Sequence, residues 1–323
     1  MRRLATTAAL LVVALALAVA AGGCGDEQID PSGRVRSANA IRADPANART
    51  PPLVIGGKDF TEQTVLAHVY AQALRAAGFR AEARPGLEDE GMAIAALTSR
   101  RIDLYPEYVA TALLSFCSVP IAAISTDPDQ AIVEARRCLA DRGMGVLPPT
   151  PFTSTNAVGL TRPTAQRLGV RTISDLARVD QDLVLYGSPE CRRREDCLLG
   201  LRGIYGLRFR AFRPVDVDRR HAVLREDPGA ASIVFSTDPQ NRRERLVLLG
   251  DDRGIFPPNN AALIGRRETI RRAGPALRRV VQLVQEGLVE ETVQELNARV
   301  DLDGQSPREV AAAYLRESGL VAP

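Results

Sequence analysis

The feature that most constrains the fold is an alternation, from Leu53 onward, of short apolar runs with segments of helical periodicity. The run at 53–57 is apolar and ends in two glycines, and apolar residues in the segment 61–77 then recur every three or four positions. The same order, a short run and then a periodic segment, is repeated as far as residue 320. Strands that alternate with helices favour an α/β architecture with mostly parallel sheets.

The first 52 residues do not follow this alternation. Two arginines precede the apolar run Ala8–Ala21, which is too short for a comfortable membrane span and has the layout of a secretory signal. We therefore predict a signal peptide over residues 1–23, and the small residues before Cys24 resemble the lipobox at which bacterial cysteines are lipidated. An ordinary signal peptide with a chance cysteine is the alternative. Residues 24–52 are polar and interrupted by prolines, which predicts a lipidated flexible tether.

The anchored chain would lie on the extracytoplasmic face of the bacterial cell membrane, an environment in which disulfides form. It has four cysteines besides Cys24, and four cysteines allow three connectivities. We favour the sequence-local pairing of Cys117 with Cys138 and of Cys191 with Cys197. A metal site is the alternative, but neither the cysteine spacings nor the two histidines match a zinc pattern. We expect no metal and no other cofactor.

Charge and motifs argue against two further classes of function. The net charge is +3 and the basic residues are interleaved with acids, so nothing indicates a nucleic-acid partner. The chain has no phosphate loop, no dinucleotide fingerprint and no nucleophile motif. The sequence suggests no partner for His68 or His221, and we expect both to be solvated. A binding protein is therefore favoured over an enzyme, with an exported enzyme on the same fold as the alternative.

A single lysine, Lys58, stands among 42 basic residues, and all the others are arginine. Lysine is a compact charge and arginine a planar fork, so the two are not interchangeable. Lys58 follows the first apolar run, and Tyr108 lies at another strand-to-helix junction, where Pro106 is expected near the first helical turn and Tyr105 in the core. Ligands of open α/β sheets bind beyond the carboxyl ends of strands. We therefore predict that Lys58 and Tyr108 face a ligand, with a solvated lysine as the alternative.

The segments "IGGKDFTEQ" and "SRRIDLYPEYVAT" together resemble the osmoprotectant-binding proteins of ABC importers, of the glycine betaine, choline and carnitine type. Three later segments support the resemblance: "SPECRRREDCLLGLRGIYGL", "VFSTD" and "DDRGIFPPNNAALI". It extends from about Leu53 to Leu320.

The resemblance implies the two-lobed, Venus-flytrap fold of type 2 periplasmic binding proteins, with a discontinuous first lobe. The first lobe would comprise residues 53–152 and 239–323, and the second lobe residues 153–238. A small zwitterionic or cationic osmolyte would lie in the cleft between the lobes. The expected partners are an ABC permease and its separate ATPase subunit, and the chain is expected to act as a monomer.

The resemblance also implies particular ligand contacts. Lys58, Thr111 and Arg194 stand at positions that hold the ligand's carboxylate. Tyr108 and Phe235 stand at positions of the aromatic cage that surrounds a quaternary ammonium group.

The chain departs from the family pattern where other cage tyrosines are usual. Asn156 replaces one of them and is expected to contact the ligand from that position. Residues 219–221 read Arg-Arg-His near a second cage position, and the late Pro-Tyr is Pro258-Asn259. Two walls of the cage are thus expected to be missing, and an arginine near the ammonium site would repel a cation. A different small carboxylate or polar solute, and a solute sensor that is not coupled to transport, are therefore the alternatives.

Overall fold

The computed structural model describes residues 40–322 and two short strands, β1 (Gln28–Ile29) and β2 (Val35–Arg36), which pair antiparallel. These strands belong to a compact unit that ends at Ala38, and the remaining residues form a second unit. The predicted signal peptide and the predicted lipidation site Cys24 lie outside the described residues.

The predicted tether was to extend to residue 52, but its last part is fixed to the folded body. The backbone N–H of Ile41 donates to Leu320 O at 2.8 Å, and that of Asp44 donates to Ala77 O at 3.1 Å. Because these bonds join the segment to two separate parts of the body, the folded unit begins about ten residues earlier than the apolar pattern indicates.

The body contains ten strands in two sheets. In chain order they are β3 (Leu53–Lys58), β4 (Ala81–Leu87), β5 (Leu104–Tyr108), β6 (Met144–Thr153), β7 (Asn156–Leu160), β8 (Val184–Gly187), β9 (Ala211–Pro214), β10 (Ala230–Phe235), β11 (Val247–Leu248) and β12 (Asn260–Arg266). The first sheet has the order β4-β3-β5-β12-β6 and the second the order β11-β7-β10-β8-β9. Each sheet has two parallel and two antiparallel pairs, so the prediction of mostly parallel sheets is wrong.

Helices cover both sheets. They are α1 (Thr61–Ala76), α2 (Glu90–Thr98), α3 (Val109–Ser115), α4 (Pro128–Asp141), α5 (Arg162–Leu168), α6 (Leu198–Gly203), α7 (Ala222–Glu226), α8 (Gln240–Arg243), α9 (Arg267–Glu286), α10 (Glu290–Asp301) and α11 (Pro307–Glu317). One apolar core lies between the first sheet and α1, α9, α10 and α11, and another lies between that sheet and α2, α3 and α4. A third core belongs to the second sheet. Among the described residues, no helix is both long and apolar enough to cross a membrane.

The chain passes from the first sheet to the second between β6 and β7, and it returns between β11 and β12. The predicted lobe boundary at residue 238 differs from this order, because Val247 and Leu248 of β11 pair with β7 in the second sheet. The apolar run at this place predicts a strand, but the local sequence does not show with which sheet so short a strand pairs.

Pro106, predicted in the first turn of a helix, lies inside β5 instead. Strand β12 pairs with β5 at every position from Leu104 to Tyr108, with Leu263 opposite Pro106. This ladder keeps the segment extended, so α3 begins only at Val109. Tyr108 is therefore the last strand residue, which places its ring at the end of the sheet.

The described part of the chain contains two disulfide bonds, and they follow the sequence-local pairing. Cys117 is bonded to Cys138 with the two Cα atoms 6.0 Å apart, and this bond ties the end of α3 to α4. Cys191 is bonded to Cys197 with a Cα separation of 5.1 Å. The second bond closes a short loop between β8 and α6 that faces the first lobe.

Candidate ligand-binding cleft

A cavity of about 140 Å³ lies between the two sheets, and residues of both lobes line it. All six predicted ligand-binding residues are part of this lining: Lys58, Tyr108, Thr111, Asn156, Arg194 and Phe235. They come from the ends of strands β3, β5, β7 and β10, from helix α3 and from the loop before α6. Their contacts with a ligand remain predictions, but the fold does bring them to one place.

The ammonium group of Lys58 is paired within the protein. Its Nζ donates to Glu107 Oε1 at 2.7 Å, and the side chain of Glu107 is fully buried. The same carboxylate accepts hydrogen bonds from Tyr105 Oη at 2.9 Å and from the backbone N–H of Tyr108 at 2.8 Å. Lys58 thus neutralises a carboxylate at the end of the sheet, whatever else it contacts.

Three aromatic rings meet at the cavity. The ring centroids of Phe60 and Tyr108 are 6.4 Å apart and the rings are stacked, and those of Phe60 and Phe235 are 5.3 Å apart. Phe60 has extended backbone and precedes the first turn of α1. Sequence reasoning missed Phe60. The signal that could have found it is its position between β3 and α1, two residues after Lys58, because Lys58 was itself selected for lying at this strand-to-helix junction.

A buried carboxylate holds the hydroxyl group of Tyr108. Tyr108 Oη and Thr237 Oγ1 each donate to Glu62 at 2.5 Å, and Asn297 Nδ2 donates to it at 3.2 Å. Thr237 Oγ1 also lies 2.9 Å from Ser154 Oγ. Burial raises the pKa of Glu62 above its usual value, although its hydrogen bonds oppose the shift. Ser154 lies where the chain passes from the first sheet to the second, and Thr237 follows β10 of the second sheet. The network therefore joins α1 of the first lobe to the second lobe at the cleft.

Arg194 lies within the loop that the Cys191–Cys197 bond closes. Its Nε and Nη2 donate to Asp196 Oδ1 and Oδ2 at 2.7 Å and 2.6 Å. Its Nη1 crosses the cleft and donates to Glu90 Oε1 of α2 at 2.5 Å. Arg194 therefore links the two lobes, and protein carboxylates already occupy three of its donors.

The ring of Phe235 is in contact with a cation of the protein, the guanidinium group of Arg220. The guanidinium carbon of Arg220 lies 3.8 Å from the centroid of the Phe235 ring, and Arg220 Nη2 donates to Asp238 Oδ1 at 2.5 Å. An arginine was expected near this part of the cage from the sequence. The structure shows that the arginine stacks on the ring, so Phe235 is expected to contribute less to ligand binding than the ring of Phe60. The ring of Tyr108 also has a protein cation, since Lys58 Nζ lies 5.2 Å from its centroid.

Asn259 organises the other end of the cavity. Its Oδ1 accepts from Ala110 N at 2.9 Å, its Nδ2 donates to Thr111 Oγ1 at 3.4 Å, and its backbone N–H donates to Thr153 Oγ1 at 2.6 Å. Helix α3 has no capping side chain of its own, so Asn259 caps it from a distant part of the chain. Asn156 donates to Asp196 O at 2.8 Å. These amides occupy positions where the family resemblance implied tyrosines.

The lining of the cavity is acidic. It contains three cations, and each has a carboxylate partner, as described above for Lys58, Arg194 and Arg220. It also contains seven carboxylates. Four of these have no side-chain hydrogen bond or ion pair to any described residue: Asp59, Glu88, Glu190 and Asp216. Within the described part of the chain, no group of three or more metal-ligand side chains is arranged to hold a metal ion.

His221, which we expected to be solvated, is buried, with 5% of its surface exposed. Its Nε2 lies 3.2 Å from Asn241 Oδ1 and 3.5 Å from Asp238 Oδ2. Burial lowers the pKa of His221 below its usual value, Arg220 lowers it further, and Asp238 opposes the shift. The partners come from separate elements packed around the ring, which the local sequence could not show.

The free energy of unfolding is expected to fall as the pH drops from about 7 to about 5, in part through His221. Its folded-state pKa lies below the usual value of 6.5, so the neutral ring stabilises the fold above that pH. This contribution is lost as the pH falls through the folded-state pKa, with a slope no steeper than about 1.4 kcal/mol per pH unit. Urea unfolding of His221→Gln at several pH values should give a shallower dependence, and an unchanged slope would contradict this.

A cleft with an aromatic wall between two α/β lobes defines the class of the protein as a two-lobed solute-binding protein. Residues 51–317 match the family described as the substrate binding domain of ABC-type glycine betaine transport systems. The chain belongs to this family, whose members bind solutes outside the cytoplasm for ABC importers and are not enzymes.

Individual relatives agree with this assignment. The glycine-betaine-binding protein of Pseudomonas aeruginosa is 33% identical over 287 residues, which cover 85% of this chain and 90% of that protein. The ergothioneine transport permease/ergothioneine binding protein of Helicobacter pylori is 28% identical and covers 88% of this chain, but the match spans only 51% of that protein. A solved structure of a glycine betaine/carnitine/choline ABC transporter protein superimposes with a TM-score of 0.67 at 22% identity, covering 82% of this chain and 98% of that one. The likeness to this structure shows the fold alone.

Proposed function

We propose that this chain captures a small solute with a quaternary ammonium group in the cleft and delivers it to an ABC permease. The observation that carries the proposal is the meeting of Phe60, Tyr108 and Phe235 at one cavity, with ring centroids 5.3 Å and 6.4 Å apart. Aromatic faces attract a quaternary ammonium group through the ring quadrupole, and each such contact contributes roughly 0.5–2 kcal/mol. The acidic lining favours a positively charged solute for the same electrostatic reason.

Cys24 would anchor the chain to the outer face of the cell membrane by covalent lipid. This part of the proposal is supported by the order of the N-terminal residues, with an apolar run followed by small residues and a cysteine. Hydrolysis of ATP would belong to a partner chain, because the sequence has no phosphate loop.

Isothermal titration calorimetry on the full chain tests ligand capture. The panel contains glycine betaine, choline, carnitine, proline betaine and proline. We expect at least one quaternary ammonium compound to bind and proline to bind far more weakly. Folded protein that gives no heat with any quaternary ammonium compound would overturn the proposal and direct the search toward other polar solutes.

Phe60→Ala is expected to weaken binding of the preferred solute by about 2- to 30-fold, the equivalent of one cation–π contact. The matched control is Phe212→Ala, because Phe212 is half-buried like Phe60 but does not line the cavity. The ring of Phe212 lies 5.4 Å from the guanidinium carbon of Arg192. The control should leave affinity unchanged. Equal losses in the two variants would mean that Phe60 acts only through stability.

A further inference from the structure

Arg194 is the cation of the cleft best suited to receive a carboxylate of a ligand, because a guanidinium binds carboxylates through paired N–H donors. Two protein carboxylates already occupy it, from Asp196 at 2.6 Å and 2.7 Å and from Glu90 at 2.5 Å. A ligand carboxylate at this place would be the third negative charge on one guanidinium.

The two protein carboxylates differ in origin. Asp196 lies on the same short loop as Arg194, whereas Glu90 reaches it from the first lobe, across the cleft. Asp89 caps α2 by accepting from Met92 N at 2.7 Å, and this places Glu90 in the first turn, where the helix dipole favours a carboxylate. Ser115 Oγ donates to Glu90 Oε1 at 2.9 Å and helps to orient it.

Glu90 is held in its charged form. Burial alone would raise the pKa of Glu90, but the charges of Arg194 and Lys58 together with hydrogen bonds to its carboxylate outweigh burial and lower the pKa below the usual value. The side chains of Glu90 and Arg194 are 19% and 18% exposed, so solvent weakens the pair only in part.

The remaining cations of the lining offer no replacement. Lys58 is paired with Glu107 at 2.7 Å, and Arg220 is paired with Asp238 at 2.5 Å. Among the residues described, the lining therefore presents no unpaired cation to a ligand carboxylate, and seven carboxylates would repel it. A positively charged group of a ligand would instead be attracted by these carboxylates.

We propose that Glu90 determines the specificity of this cleft. It occupies the position on Arg194 that a ligand carboxylate needs, so the cleft accepts a quaternary ammonium cation without a carboxylate and disfavours the corresponding zwitterion. The proposal rests on the proposed function and narrows its substrate class.

Choline and glycine betaine are the matched probes, because they share a trimethylammonium group and differ in a hydroxymethyl group against a carboxylate. Calorimetry on the full chain should show that choline binds at least about tenfold more tightly than glycine betaine. Glu90→Ala, which frees a donor of Arg194, should tighten glycine betaine binding by about tenfold or more and leave choline binding equal or weaker. Glu90→Gln, which keeps the size and removes the charge, should change the ratio in the same direction.

Glu88→Ala is the control. Glu88 lines the same cavity two positions away and carries the same charge, but it is exposed and has no side-chain partner among the described residues. It should change the ratio of the two affinities far less than Glu90→Ala does, because Glu88 is exposed to screening solvent and holds no donor of Arg194. Wild-type protein that binds glycine betaine as tightly as choline, or equal shifts in the Glu88 and Glu90 variants, would overturn the assignment of Glu90. Folded protein that binds no quaternary ammonium compound in any variant would instead overturn the proposed function itself.

Discussion

Lys58→Ala is expected to lower the free energy of unfolding by about 3–5 kcal/mol, the usual cost of breaking a buried ion pair by removing one partner. The substitution leaves the carboxylate of Glu107, which is 0% exposed, without the ammonium group 2.7 Å away. The two other donors to Glu107, Tyr105 Oη and Tyr108 N, cannot neutralise its charge. Urea unfolding followed by circular dichroism measures the effect.

The double variant Lys58→Met/Glu107→Gln tests whether the loss of stability in Lys58→Ala comes from the unpaired carboxylate of Glu107. It removes both charges and should recover most of the stability lost in Lys58→Ala, because no uncompensated charge remains. A cost below about 1 kcal/mol for Lys58→Ala would fit a solvated lysine and contradict the buried pair. Loss of ligand binding in Lys58→Ala is informative only where this stability has been measured.

Glu62→Ala is expected to cost about 2–4 kcal/mol and to weaken ligand binding as well. Three donors lose a hydrogen bond to Glu62, namely Tyr108 Oη, Thr237 Oγ1 and Asn297 Nδ2. Asn297 Nδ2 keeps Thr237 O as an acceptor and Thr237 Oγ1 keeps Ser154 Oγ as a partner. An unsatisfied buried donor costs about 1–3 kcal/mol, and the sum is reduced because removal of Glu62 also removes a carboxylate whose burial is unfavourable. Binding should weaken because the ring of Tyr108 loses the bond that positions it at the cavity.

Glu62→Gln is the conservative comparison, since it keeps the size and one acceptor oxygen, and it should cost less than Glu62→Ala. The surface control is Glu291→Ala, an exposed acid in the first turn of α10 whose loss should stay within about 0.5 kcal/mol of wild type. The same urea unfolding and calorimetry measure all three variants. If Glu62→Ala were as mild as Glu291→Ala, the network between the cleft and the segments at Ser154 and Thr237 would have no energetic role.

Lys58→Ala and Glu62→Ala both test how the cleft satisfies its own polar groups. Each cation of the lining is paired with a protein carboxylate. Lys58 has Glu107, Arg194 has Asp196 and Glu90, and Arg220 has Asp238. Charges in a partly dry cavity are costly unless they are paired. A ligand must therefore compete with these pairs or use the aromatic rings and the unpaired acids.

The sequence by itself determined the elements of this protein and the place of its cleft. Hydrophobic periodicity is a local property, so it located β3, α1 and most of their successors and placed Lys58 and Tyr108 at strand-to-helix junctions. The short sequence separations of the cysteines, 21 and 6, favoured the pairing that the structure contains. The resemblance of a few motifs pointed to the family to which the chain belongs.

Only the tertiary structure decided which side chains neutralise one another. Lys58 and Glu107 are 49 positions apart, and Arg194 and Glu90 are 104 positions apart, on different lobes. The sheet membership of β11 and the burial of His221 depend on the same long-range packing. No local pattern encodes such contacts, because they arise where separate strands and helices end at one cavity. The family resemblance implied a carboxylate clamp that includes Lys58 and Arg194, and in the folded chain both cations are already paired with protein carboxylates.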